Sequence, residues 1–142
     1  MDVTFCEDIS CYKNFIEPKG FCFDKEVSND ESLTYRFSSC EDTEGDLLED
    51  KSTFSLLGHG AVIVVSYATS SPEYYNSILK EMEEFGFIKK RSWNLDVNAT
   101  NTTYQSKKHP GFSMNIIETD KPYPFDRKQL RWSISVRRFV YK

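Results

Sequence analysis

Ser71-Pro72-Glu73-Tyr74-Tyr75-Asn76-Ser77-Ile78-Leu79-Lys80-Glu81-Met82-Glu83-Glu84-Phe85-Gly86-Phe87 is the stretch whose pattern decides the fold. Tyr75, Ile78, Leu79, Met82 and Phe85 recur at helical spacing, which puts them on one side of a helix and leaves Asn76, Lys80, Glu83 and Glu84 toward water. Its ends are punctuated: Ser71 is placed to cap free backbone N–H groups, Pro72 suits the first helical position, and Gly86 supplies a left-handed stop. A helix with one apolar stripe must lie on something. The β-branched and aromatic runs on either side of it point to a sheet.

Upstream, Ile9, Tyr12, Phe15 and Ile16 keep the same spacing, so residues 8–17 read as a shorter helix ended by Pro18 and Gly20. Residues 20–27 follow as a strand with Phe21, Phe23 and Val27 on one face, then a turn over 28–31, then strict alternation from Leu33 to Ser38; together they predict a hairpin. Thr53 to Leu57 and Ala61 to Tyr67 predict two more strands around Gly58-His59-Gly60. Ala61-Val62-Ile63-Val64-Val65 has no polar face and is the expected central strand, buried on both sides or at least flanked on both edges. After the anchoring helix, residues 87–93, 102–107, 111–118 and 130–140 read as strands; residues 94–101 read as a polar loop and 119–129 as an extended connection through Pro122-Tyr123-Pro124. Within the last strand Leu130, Trp132, Ile134 and Val136 face one way, Arg131, Ser133, Ser135 and Arg137 the other. Met82 and Trp132 are expected to meet between helix and sheet.

The halves look alike. Helix, Gly-Phe, strand, polar turn and Thr-Tyr strand occur around Gly20-Phe21 and Thr34-Tyr35 and again around Gly86-Phe87 and Thr103-Tyr104. The expectation is one domain, 1–142, of α+β class, with an internal αββββ repeat over 8–68 and 71–140. It forms an antiparallel sheet of about eight strands with both helices on one face. By architecture alone this arrangement resembles the saddle of TATA-binding protein and the tandem layout of the β-lactamase inhibitor protein. No motif of either is present, so no functional residue is carried over.

The 142 residues suffice to bury a core, and 11 Phe, 8 Tyr and 2 Trp favour strands and buried surface. No apolar run reaches the roughly 18 residues of a membrane span, and residues 1–7 lack the regions of a signal peptide. A cytoplasmic chain is therefore expected, with an exported mature chain as the alternative. The net charge of −4 hides an asymmetry: residues 1–70 hold 14 acids against 5 bases (net −9), residues 71–142 hold 8 against 13 (net +5). Complementarity of the two halves within one fold accounts for that split.

Chemistry-bearing motifs are sparse. Cys6, Cys11, Cys22 and Cys40 have neither the spacing nor the neighbouring histidines of a zinc site, and reduced thiols are expected. A Cys22–Cys40 disulfide is the alternative, since both sit near the open end of the first hairpin with the same strand parity. His59 and His109 occupy turns, poor places to hold a catalytic base. The acidic loop 40–50 carries Asp42, Glu44 and Asp46, but Gly45 and Thr53 stand where an EF-hand sequence fails, and Gly-rich phosphate loops are absent. No metal, no cofactor and no enzymatic activity are expected.

Lys89-Lys90-Arg91, Lys107-Lys108, Arg127-Lys128, Arg131, Arg137 and Arg138, with Trp93 and Tyr104 for stacking, raise nucleic acid as a partner; the acidic chain and the division of these bases between strand faces weigh against it. Asn98-Ala99-Thr100 and Asn101-Thr102-Thr103 match the N-glycosylation triplet, to which composition alone assigns no role.

The sheet face away from the helices is expected to carry Arg36, Ser38, Ser55, Ser66, Ser92, Thr103, Gln105, Ser113, Asn115, Arg131, Ser133, Ser135 and Arg137, interrupted by Val62, Val64 and Ile117. A broad polar face of this kind suits recognition of another protein. The expected function is a non-catalytic, inhibitor-like binding protein whose binding residues include Arg131, Arg137, Gln105, Asn115, Ser133 and Ser135. A structural module of a secreted or surface assembly is the alternative, and nucleic-acid binding the less favoured one.

Overall fold

Both amphipathic stretches form helices with the caps their sequences supply. The computed structural model describes residues 6–30, 32–40, 50–58, 61–119 and 131–139. Helix α1 is Ile9–Ile16; Asp8 caps it by accepting from the Cys11 backbone N–H, and a 3₁₀ turn over Glu17–Lys19 ends at Gly20, φ +92°. Helix α2 is Pro72–Phe85; the Ser71 hydroxyl accepts from Tyr74 N–H, and Gly86 at φ +87° closes it. A Cβ at Gly86 would stand 2.9 Å from Cγ of Lys108, whose ammonium donates to the Glu84 carbonyl, so both backbone hand and space require glycine there.

Four strands follow each helix: β1 (Phe21–Ser28), β2 (Ser32–Ser39), β3 (Lys51–Leu57) and β4 (Val62–Thr69), then β5 (Phe87–Asp96), β6 (Ala99–Ser106), β7 (Phe112–Thr119) and β8 (Trp132–Phe139). They make one eight-stranded antiparallel sheet in the order β1-β2-β3-β4-β8-β7-β6-β5. The last strand of each half thus meets the other at a central seam, where Val65 lies opposite Val136 and Ser66 opposite Ser135. This is an α+β fold.

One face of the sheet is covered by the helices. Under α1, Tyr12 and Ile16 pack with Phe37, Phe54, Ile63 and Val65; under α2, Ile78, Met82 and Phe85 pack with Phe112, Met114, Ile116, Ile134 and Val136. Tyr67, on the seam strand, touches both clusters. The Tyr12 hydroxyl hydrogen-bonds to Ser52, whose own proton goes to the Ser66 carbonyl at 3.1 Å, so Tyr12 is the donor in that pair. Arg138 lies on this covered face as well: its guanidinium donates to the Cys6 carbonyl at 3.4 Å and pairs with Glu7 at 3.6 Å, tying the N-terminal segment to β8.

Several expectations are corrected. Asp24 is an extra residue in β1, so Val27 turns away from the face that holds Phe21 and Phe23. Strand β4 is flanked on both edges but buried on one side only: Ile63 and Val65 are 3% exposed, whereas Val62 and Val64 are half-exposed on the other face. Residues 94–101 are not a loop, because β5 runs to Asp96 and β6 begins at Ala99, leaving a two-residue turn at Val97-Asn98. Trp132 stacks on Tyr75, rings 4.4 Å apart and 5° from parallel, two helical turns before Met82.

The thiols are not free: Cys6 is joined to Cys11 and Cys22 to Cys40, the second bond closing the open end of the β1–β2 hairpin. The expectation of reduced cysteines fails because parity and proximity at that hairpin end bring two sulfurs together. His59, the acidic loop with Asp42, Glu44 and Asp46, and Pro122-Tyr123-Pro124 lie outside the described residues. Among the described residues no helix is long and apolar enough to cross a membrane.

Candidate functional site

The uncovered face of the sheet is built from the alternate residues of every strand. Across its centre run Val62, Val64 and Ser66 of β4 beside Ser133, Ser135 and Arg137 of β8, then Ser113, Asn115 and Ile117 of β7 and Asn101, Thr103 and Gln105 of β6. Hydroxyls on this face pair with each other across strands, Ser66 with Ser135 at 3.1 Å and Thr34 with Ser55 at 3.0 Å. Such cross-strand pairs fix the surface laterally.

Strand β5 breaks the alternation. Lys90 is bulged out between Lys89 and Arg91, so from there on each side chain changes face. Ser92, expected on the uncovered face, pairs with Thr102 on the other side, while Arg91 and Trp93 come over to the uncovered face opposite Thr103 and Asn101. The Arg91 guanidinium lies 5.1 Å from the centre of the Trp93 ring.

This displacement walls a depression of about 400 Å³, lined by Val64, Trp93, Asn101, Thr103, Tyr104, Ser113, Met114, Asn115, Ser135 and Arg137. Asn101 is only 6% exposed. Its Oδ1 and that of Asn115 are buried without a hydrogen-bond partner. A buried polar atom left unpaired costs about 1–3 kcal/mol, so two of them in one depression are acceptors waiting for a donor. Arg137 adds a planar cation, Ser113 and Ser135 add hydroxyls, and Trp93 adds an aromatic wall. These side chains offer hydrogen bonds, charge and aromatic contact.

The depression gathers three of the six expected binding residues: Asn115, Ser135 and Arg137. Gln105, paired between Ile88 and Ser113, and Ser133, paired between Ala68 and Ile117, share the face but do not line the depression. Arg131 is taken out of the group. It precedes β8, its backbone N–H donates to Ser70 Oγ and its carbonyl accepts from Thr119, while its guanidinium lies 4.4 Å from the centre of the Trp132 ring. Its side chain thus packs on Trp132, a covered-face residue, and does not line the depression. Sequence reasoning named Trp93 only as a stacking residue for nucleic acid and placed Asn101 in a polar loop; the bulge at Lys90 and the two-residue turn at Val97-Asn98 put both on the uncovered face, and no local signal in the sequence marks that bulge.

A second cleft of about 420 Å³ lies beside α2, lined by Leu79, Lys80, Met82, Glu83, Phe87 and Tyr104. His109 is held as a packing residue, its ring 4.3 Å from Phe85 and 5.8 Å from Phe112. Among the described residues no group of three or more His, Cys, Asp or Glu side chains converges as a metal site would require.

Fold and site together define an α+β protein with a polar depression on the uncovered face of an antiparallel sheet. Comparison with protein-family models, curated proteins and solved structures returns no match.

Proposed function

We propose that the protein is a non-catalytic, inhibitor-like binding protein that recognises another protein through the uncovered sheet face, anchoring one partner side chain in the depression at Trp93, Asn101, Asn115 and Arg137. The observation that carries this reading is the pair of buried, unpartnered amide oxygens beside an exposed arginine. A partner segment with a carboxylate for Arg137 and a neighbouring N–H donor for the asparagines fits that set. Aromatic and arginine residues at the centre of a patch are where interfaces concentrate their energy.

Several of the described bases that raised nucleic acid are engaged within the fold. Arg138 pairs with Glu7, Lys108 reaches the Glu84 carbonyl and Arg131 rests on Trp132. A second reading, a module of a secreted or surface assembly, is favoured by the two disulfides, which persist in oxidising compartments.

Native protein and the Arg137→Ala variant, immobilised side by side and challenged with extract of the native source, test the first reading. A protein held by the native surface and lost by the variant is expected. Equal capture by both overturns the site. Arg137-dependent retention of a single-stranded oligonucleotide instead of a protein overturns the partner class.

A further inference from the structure

We propose that Asn98 is an acceptor for an N-linked glycan and that Asn101, three residues on, is not. Both asparagines stand in the acceptor triplet, Asn98-Ala99-Thr100 and Asn101-Thr102-Thr103, which sequence alone cannot separate. The fold separates them. Asn98 is the second residue of the two-residue turn between β5 and β6, at the outer edge of the sheet; it is partly exposed, and its turn neighbour Val97 is 90% exposed. Asn101 sits mid-strand, laddered to Trp93 on one side and Ile117 on the other, and is 6% exposed. A glycan on its amide would have to displace the Trp93 wall, whereas Asn98 stands in the turn, outside the strand ladder.

Two further observations favour this assignment. The paired cysteines fit a chain that matures in an oxidising secretory compartment, where such transfer occurs. The tip also exposes Leu95 at 52% together with Val97, an apolar pair that a carbohydrate rooted between the strands would cover. In the transfer the Asn98 Nδ2 attacks the anomeric carbon of a polyisoprenyl-diphosphate-linked oligosaccharide. The C–N bond forms as the C–O bond to the diphosphate breaks; the amide nitrogen gives up one proton and the lipid diphosphate leaves with the electron pair.

The full chain is produced in cultured animal cells behind a cleavable secretion signal, and both medium and lysate are treated with peptide N-glycosidase, which leaves aspartate where a glycan was attached. The expected result is one glycan per chain, with aspartate appearing at position 98 and asparagine retained at 101. Thr100→Ala removes the glycan and Thr103→Ala keeps it. Unmodified chain in both fractions overturns the proposal, as does a glycan on Asn101 in secreted protein with both disulfides formed.

Discussion

Trp93 and Asn101 stand opposite each other across the β5–β6 ladder on the uncovered side of the sheet, and they do so because Lys90 is bulged out of β5. Without that extra residue Trp93 would share the face of Phe87, and the wall of the depression would be missing. Deleting Lys90 should therefore return Trp93 to the helix side of β5, away from Asn101. We expect loss of partner capture together with a lowered denaturant midpoint and a shift in tryptophan fluorescence. Unchanged fluorescence and binding would mean that the bulge does not set the site.

Asn101 invites a test that separates binding from stability. Its buried Oδ1 has no partner, so Asn101→Leu removes an unsatisfied acceptor and puts apolar volume in its place. The variant should be as stable as the native protein or more stable, by up to about 1–3 kcal/mol, while partner affinity falls. A destabilisation above about 1 kcal/mol in urea titration would show that the amide is satisfied in solution.

The two arginines expected to act together should part company. Arg137→Ala should abolish partner capture with little change in thermal midpoint, because its side chain is exposed at the depression. Arg131→Ala should keep the partner and lose about 0.5–1 kcal/mol of stability, the worth of a cation over an aromatic ring at an exposed site. Replacing Asp42, Glu44 and Asp46 by neutral residues should change neither. If the acidic-loop variant loses the partner and the Arg137 variant keeps it, binding lies in the acidic half.

Much of the architecture was legible because its signals are local. Ser71, Pro72 and Gly86 each specify a backbone state at one position, and the alternation from Leu33 to Ser38 specifies a strand whatever its neighbours do. The bulges at Asp24, Lys90 and Leu95 were not legible, since a bulge is a mismatch in count between two strands and needs the partner's register to be seen. Two different causes hid half of the site. Arg137, Ser135 and Asn115 follow from parity on β8 and β7, which carry no bulge; Trp93 depends on the bulge at Lys90, whereas Asn101, in parity with Thr103 and Gln105 on β6, was hidden because residues 94–101 read as a loop. The sulfurs were misjudged on a different ground: four cysteines without metal spacing read as reduced thiols, with a Cys22–Cys40 bridge as the alternative, and the hairpin brings Cys22 to Cys40, with Cα atoms 5.1 Å apart.

Those bridges predict that thiol reagents label none of the four cysteines in unfolded, unreduced protein and all four after reduction. Replacing Cys22 and Cys40 together by Ala should cost about 2–4 kcal/mol through the freed hairpin end. Labelling of Cys22 and Cys40 without reductant would remove the bond, and with it the support for an oxidising compartment.

The stack of Tyr75 on Trp132 gives the pH prediction. Burial, then the nearby Glu118 carboxylate, pushes the Tyr75 hydroxyl up to about 12; burial also raises Tyr12 and Tyr67 beneath the helices. A group whose folded pKa lies above its unfolded value holds its proton longer in the folded chain. The unfolded chain releases its tyrosine protons from about pH 10 upward, so the stability these groups contribute is complete below that pH and is lost as pH rises through their folded values. Unfolding free energy should be flat across neutrality with respect to these groups and fall above about pH 10. Tyrosinate absorbance should appear together with loss of the folded circular dichroism signal. Tyr75→Phe should soften the alkaline fall while preserving the stack on Trp132. A variant that falls as steeply as the native protein would leave Tyr12, on α1, and Tyr67, on the seam strand, as the groups that unfold the sheet in base.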